Sequence, residues 1–240
     1  GILNASQYAP SQETPVVLNS AFTLMRSYGQ QGIQKQSFFK DEKEMYAIFD
    51  AQKNYASADS LGNVLPMQKK NVFVIILESF SAEHIGALTH QKGNKNSDFT
   101  PFLDSLAEKS IVFHGFANGK RSIEGIPAVL ASLPTWMTED FITSQYASDK
   151  FNSLASLLKT VGYNTSFFHG GKNGTMGFDA FCRSAGFDAY YGKNEYPNQA
   201  DFDGHWGIWD EPYLQYIAQT LNKFPKPFMS AVFTLSSHHP

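Results

Sequence analysis

Cysteine is all but missing from this chain. Cys182 is the single thiol in 240 residues, which excludes an internal disulfide and any zinc cluster built on thiolates. A disulfide-free protein can live in either redox compartment, so cysteine leaves location open. An excess of positive charge is also lacking. Nineteen Lys and Arg stand against 22 Asp and Glu, a formal net charge of -3, and the cations are dispersed rather than blocked, so the field that duplex nucleic acid requires is absent. Long apolar runs are missing too: "VFVIIL" at 72–77 is far shorter than the roughly 20 residues needed to cross a bilayer. The opening "GILNASQYAP" has neither an initiator Met nor a signal-peptide pattern, so the expectation is a soluble piece of something longer.

What is present suffices for one core. At 42% hydrophobic and 17% charged, the chain reads as globular and fits a single α/β domain. Residues 1–70 are polar and mixed, with helical patterns in "PVVLNSAFTLMRS" and "DEKEMYAIFDAQ", and read as a lead-in arm. From Asn71 onward β-rich runs alternate with segments of helical period, which predicts βαβ units and a mainly parallel sheet. The expected strands are 71–77, 111–117, 163–169 and 227–236. "TPFLDSLAEK" offers Thr100 as N-cap and Pro101 at the first helical position. "FNSLASLLKTVG" sets Phe151, Leu154, Leu157, Leu158 and Val161 on one face, with Gly162 as a stop. "DEPYLQYIAQTLNKF" does the same through Leu214, Ile217, Leu221 and Phe224.

In an open parallel sheet, ligands bind beyond the carboxyl ends of the strands, where loops and helix N-termini face one crevice. Those ends carry Glu78; Asn118, Lys120, Arg121 and Ser122; His169 with Gly170 and Gly171; and His238 and His239. A hydroxyl beside a carboxylate that holds a divalent cation can become an alkoxide near neutral pH. Ser122 would be that nucleophile. The helix start adds amide donors, Lys120 and Arg121 complement phosphoryl oxygens, and His169 and His238 hydrogen-bond them or carry a proton. The set suits phosphoryl or sulfuryl transfer.

Plainer readings stand beside each of these. Ser122 alone fits an N-cap, although Glu124 lies two residues on, not the three of a capping box. Glu78 alone fits the first turn of a following helix, and a lone His before two glycines fits a strand end. Lys120 and Arg121 are by default solvated loop charges. Asp210, Glu211 and Pro212 are expected as N-cap, N1 and N2 of their helix, Trp206 and Trp209 are expected to pack, and Cys182 is expected to be buried. "HGGKNGT" fits neither nucleotide-binding glycine pattern. Joint occurrence at the strand ends is what favours function.

"NVFVIILESF", "NGKRSIEGIPAVLASLP", "FFHGG" with "AGFDAYYG", "HWGIWDEPYL" and "TLSSHHP" together resemble, in this order, the extracytoplasmic catalytic domain of lipoteichoic-acid synthase-type phosphoglycerol transferases, in the alkaline phosphatase and sulfatase superfamily. The likeness covers about Asn71 to Pro240. It implies a three-layer αβα sandwich with a mainly parallel sheet, alkaline phosphatase-like and partial. Residues 71–240 would be the N-terminal part of a sulfatase-like catalytic domain and residues 1–70 a juxtamembrane arm. The resemblance implies Ser122 as catalytic nucleophile, Glu78 and Ser122 as ligands of Mn or Mg, and His169, His238, Lys120 and Arg121 around the substrate phosphate. The implied activity is transfer of phosphoglycerol or a related head group from membrane phospholipid through a phosphoseryl enzyme, to a glycan or glycerol hydroxyl. A phosphoethanolamine transferase, a phosphodiesterase and a non-catalytic binder of anionic lipid or glycan are the alternatives. The implied setting is periplasmic or cell-surface, anchored by membrane helices outside this chain, with no nucleic-acid partner.

Three departures from the family pattern shape these expectations. The family completes its metal site with an Asp-His pair on a later strand, which this sequence does not supply before Pro240, so these 240 residues are expected to bind metal poorly. Met176 and Phe178 stand where lipoteichoic-acid enzymes carry Trp and Arg. Ser122 is followed by Ile, Glu and Gly rather than the x-Pro-x-Arg that formylglycine formation requires, which turns the expectation away from sulfate esters.

Overall fold

The computed structural model describes residues 8, 14–28, 33, 36–49, 62–63, 65–89, 99–113, 115–117, 119–147 and 149–238. Asn118, His239 and the end of the helical pattern at 50–52 lie outside them. Four strands form one sheet: β1 (Val72–Ile76), β2 (Asn164–His169), β3 (Ala189–Tyr191) and β4 (Phe228–Phe233). Their order is β1-β4-β2-β3, and every pairing is parallel. β2 and β4 are buried almost throughout because helices cover both faces of this parallel sheet. Where polar atoms enter this interior they meet each other, as in the 2.7 Å contact between the Ser166 and Ser230 hydroxyls on neighbouring strands.

The arm carries α1 (Thr14–Val17), α2 (Ser20–Ser27, capped by the Asn19 side chain) and α3 (Glu42–Ile48, capped by Asp41). After β1 come α4 (Gly86–Thr89) and α5 (Pro101–Ala107). Thr100 precedes α5 as expected, but its hydroxyl turns away from the helix amides. It accepts from Gly86 N at 3.1 Å and meets Asp104 Oδ1 at 3.1 Å, so it ties α4 to α5. One face of the sheet is covered by α6 (Ser122–Ala131), α7 (Leu154–Lys159) and α8 (Phe178–Ser184), which gather Ile123, Ile126, Leu130, Ala155, Phe181 and the buried Cys182 against Phe167, Met229, Ala231 and Phe233. The other is covered by α9 (Asp210–Leu221), through Tyr213 and Ile217 against Phe168 and Val232.

Several expectations are corrected. Residues 111–117 form no strand among those described, and Ile111, Phe113 and Phe116 are exposed. An apolar run gains from strand geometry only when it finds a ladder partner and a covering layer, and this one meets neither among the described residues. β3 was not expected: it is three residues long, and Asp188 positions it by accepting from Thr165 N and Thr165 Oγ1 on β2. Leu157 on α7 and Val161 just past its end are exposed, and the fully buried residue of α7 is Ala155. On α9 Leu214 is exposed and Tyr213 takes its place. Gly162 does stop its helix, at φ 89°.

Candidate active site

The parallel register sets three strand ends in one row, because Ile76 of β1 pairs with Phe233 of β4, which pairs with His169 of β2. The chain just beyond them is cross-linked. Thr234 N donates to Ile76 O (3.0 Å), Glu78 N donates to Thr234 Oγ1 (2.9 Å), and the His169 ring bonds Phe233 O (3.0 Å). Glu78 is thereby held at 5% exposure on a tight turn whose next residue, Ser79, has φ 46°. Ser79 Oγ donates to Glu78 Oε1 at 2.7 Å, and no basic side chain among the described residues pairs with that carboxylate. Glu78 therefore begins no helix turn.

His169 is 1% exposed, stacked on Phe233 and edge-on to Phe178. A carbonyl can only accept, so the proton facing Phe233 O sits on Nδ1 and Nε2 is left bare. Burial lowers the imidazole pKa, opposed by that hydrogen bond and by the charges of Asp210 and Glu78, and the ring is neutral. Nε2 faces Gly171: a Cβ there would lie 2.8 Å from it, so the missing side chain leaves the space beside this nitrogen open.

His238 follows β4 by a turn closed by its own N–H to Leu235 O (2.9 Å) and lies half-buried with its ring 4.3 Å from that of Trp206. Asp210 holds this turn. It is the first residue of α9 rather than its cap, which is Trp209. Its two carboxylate oxygens accept Leu235 N and Ser236 N, each at 2.8 Å, and its own N–H donates to Ser236 Oγ at 2.7 Å. Sequence reasoning gave Asp210 only a local helix role, since its partners lie 25 and 26 residues away. Trp206 and Trp209, expected to pack, are 43% and 51% exposed.

Ser122 is the first residue of α6, with Arg121 in the cap position. The capping expectation thus shifts by one residue: Glu124 is at the third position after Arg121, and its Oε2 accepts from Arg121 N (2.8 Å) and Lys120 N (2.7 Å). The amide bond from Arg121 is the chief cause that lowers the Glu124 pKa. Relieved of capping, the Ser122 hydroxyl is part-exposed and has no hydrogen-bond partner among the described residues. Arg121 reaches sideways to Asp140 Oδ1 at 2.7 Å and Glu124 Oε1 at 3.7 Å, while Lys120 is exposed. Asp140 is buried, and burial raises its carboxyl pKa against the pull of Arg121. The next residue, Ile123, packs into the core that contains Ile76, Phe178 and Phe233, the last two being the rings against His169. Three predicted ends, at Glu78, His169 and His238, are thus joined through β1-β4-β2, and Ser122 stands on the helix over the same layer.

Comparison with known proteins agrees with this architecture. The sulfatase family model matches residues 70–240. A lipoteichoic acid synthase-like protein of Bacillus subtilis is 27% identical over 84% of this chain and 32% of its own length. Phosphoglycerol transferase I of Escherichia coli is 25% identical over 73% of this chain and 24% of its own. A crystal structure of an alkaline phosphatase superfamily protein from Vibrio parahaemolyticus superposes with a TM-score of 0.63 at 32% identity, over 73% of this chain and 42% of that one. The chain spans about a quarter to a third of the length of these two curated relatives.

Members of this superfamily are metal-dependent. Glu78, a buried carboxylate that no basic side chain among the described residues pairs with, has the chemistry of one ligand to a hard cation. Among the described residues, however, no three His, Cys, Asp or Glu side chains converge to hold one. Glu78 supplies one carboxylate ligand and the Ser122 hydroxyl only a neutral second, so these two residues do not by themselves make up a metal site.

Proposed function

The chain belongs to the sulfatase family, and from that premise we propose that it forms part of a phospholipid head-group transferase, with phosphoglycerol as the group carried and Ser122 as its nucleophile. The observation that carries this reading is the Ser122 hydroxyl itself, part-exposed and unpartnered among the described residues at the positive end of a ten-residue helix. The likeness to a lipoteichoic acid synthase-like protein and to phosphoglycerol transferase I supports phosphoglycerol as the group carried.

In the first step the Ser122 oxygen attacks the phosphorus of the donor phosphodiester. The P–O bond to diacylglycerol breaks, that oxygen takes up a proton, and the hydroxyl proton of Ser122 is released. In the second step an acceptor hydroxyl attacks the phosphoseryl ester, loses its proton, and returns one to the serine oxygen. Helix amides and Lys120 stabilise the phosphoryl oxygens. Arg121, paired with Asp140, chiefly holds the loop before the helix. His238, beside Trp206, carries protons, and His169, whose Nε2 is bare, meets the substrate only as an acceptor, past Gly171. Residues 1–70 serve as the arm toward the membrane on the extracytoplasmic side. The arm touches the domain through Ile33 N to Tyr146 Oη (2.8 Å) and Lys69 Nζ to Val161 O (2.7 Å), and among the described residues no helix is long and apolar enough to cross a membrane.

The test uses the intact protein with phosphatidylglycerol labelled in the head group. Wild-type protein should acquire a phosphoglycerol adduct visible by mass, absent in Ser122→Ala, and transfer should fall by about four orders of magnitude or more. Undiminished transfer in Ser122→Ala overturns the assignment. Phosphatidylethanolamine as competing donor decides the head group.

A further inference from the structure

We propose that the cleft between the start of α9 and the turn after β4 is a subsite for a neutral sugar. It rests on the transfer reading only in being called the acceptor's place; the binding stands apart from it. The cleft has a volume of about 630 Å³ and is lined by Asp201, Trp209, Asp210, Glu211, Pro212 and Ser236.

Trp209 offers the surface that a sugar ring needs, a large flat face with one N–H at its edge. Half of it is exposed, although indole is among the costliest side chains to leave in water. Its backbone is fixed. Trp209 N donates to Asp201 O at 3.0 Å, and Phe202 and Ile208 form an antiparallel bridge. Between them Asp203 Oδ1 gathers the amides of His205, Trp206 and Gly207 at 2.8, 2.8 and 3.1 Å. A ring held on such a turn loses little freedom on binding.

The polar groups match hydroxyls. Asp201 uses Oδ2 for Tyr196 Oη (2.5 Å) and Asn198 Nδ2 (3.0 Å), leaving Oδ1 as an acceptor. Glu211 is exposed and has no hydrogen-bond partner among the described residues. Ser236 Oγ accepts from Asp210 N and keeps its proton to donate. None of the six lining residues is basic and three are acidic, so an anionic chain is repelled. A metal ion does not fit, because no three ligating side chains converge among the described residues. An ammonium group would also suit the acidic lining, but the flat Trp209 face and the Ser236 donor match a polyhydroxyl ring, and the ethanolamine arm of the titration separates the two. Asp210 and Ser236 tie the cleft to the turn that bears His238, which sets a bound sugar beside the strand ends.

The experiment titrates the intact protein by calorimetry with neutral gluco-, galacto- and mannodisaccharides, and separately with glycerol 3-phosphate and ethanolamine. At least one disaccharide should give a saturable change that Trp209→Ala abolishes, Trp209→Phe retains and Glu211→Ala weakens about tenfold. Glycerol 3-phosphate should give none. Circular dichroism confirms that each variant is folded. A flat response to every disaccharide, a response unchanged in Trp209→Ala, or saturation by ethanolamine or glycerol 3-phosphate in place of sugar overturns the proposal. Diacylglycerol release from phosphatidylglycerol by wild-type protein is read separately. Its absence counts against the Ser122 reading, while the titration alone decides the cleft.

Discussion

Strands β2 and β4 are closed on both faces, whereas β1 is closed on one. Phe167 and Phe168 are consecutive and face opposite ways, yet both are fully buried, the first under α6–α8 and the second under α9. On β1 the alternation has another outcome. Val72, Val74 and Ile76 join the α6–α8 core, but Phe73, Ile75 and Leu77 remain open to solvent. The sandwich therefore has three layers over β2 and β4 and two over β1. Both halves nevertheless deliver buried site residues, His169 from one and Glu78 from the other. Hydrogen bonds across the strand ends, rather than layer coverage, hold the row together.

The largest test of this contrast replaces one ring on each half. Phe168→Ala should lower unfolding stability by about 3–5 kcal/mol, whereas Phe73→Ala should cost about 1–2 kcal/mol because much of its surface is wet already. Equal costs in urea titrations would remove the energetic difference between the halves. Next in size, Asp210→Ala leaves Leu235 N and Ser236 N without their acceptor and should cost about 1–3 kcal/mol. Asp210→Asn should cost less, because its carbonyl still serves one amide, and hydrogen exchange at 235 and 236 reports which bond survives.

The third prediction concerns pH. The folded-state pKa of His169 lies below its ordinary value of 6.5, so on acidification the unfolded chain takes up the proton first. Its neutral burial is without penalty above that value. As pH falls below 6.5, stability drops by at most about 1.4 kcal/mol per pH unit until the folded-state pKa is reached. Asp210 and Glu78, whose charges act on the ring, moderate the slope. His169→Asn keeps a donor for Phe233 O and should flatten this limb in denaturation measured from pH 7 to 5. The smallest expected effect is Ile75→Thr on the open face, within about 0.5 kcal/mol of wild type.

How much of this was legible in the sequence follows the same division. β2 and β4 were readable because β-branched and aromatic residues cluster in them, and parallel pairing followed from the intervening helices. Residues 111–117 carry the same composition without the partner strand that would make it count. Ser122 was visible as a helix-start hydroxyl, but its freedom was not. That depends on Glu124 serving the amides of Lys120 and Arg121, a choice of cap made by one residue of offset. Asp210 and Gly171 were opaque for another reason. Their roles are defined by Leu235, Ser236 and the His169 ring, which meet them only once the chain has folded.

The pairing of Ile76, Phe233 and His169 also limits how this protein can vary. Inserting a single residue within β1, β2 or β4 would move that strand's terminus by about 3.3 Å and turn its following side chain to the opposite surface. Glu78 or His169 would then be carried out of line with its neighbours while the hydrophobic interior was inverted. Length changes should thus be tolerated in the connections between strands and rejected within them.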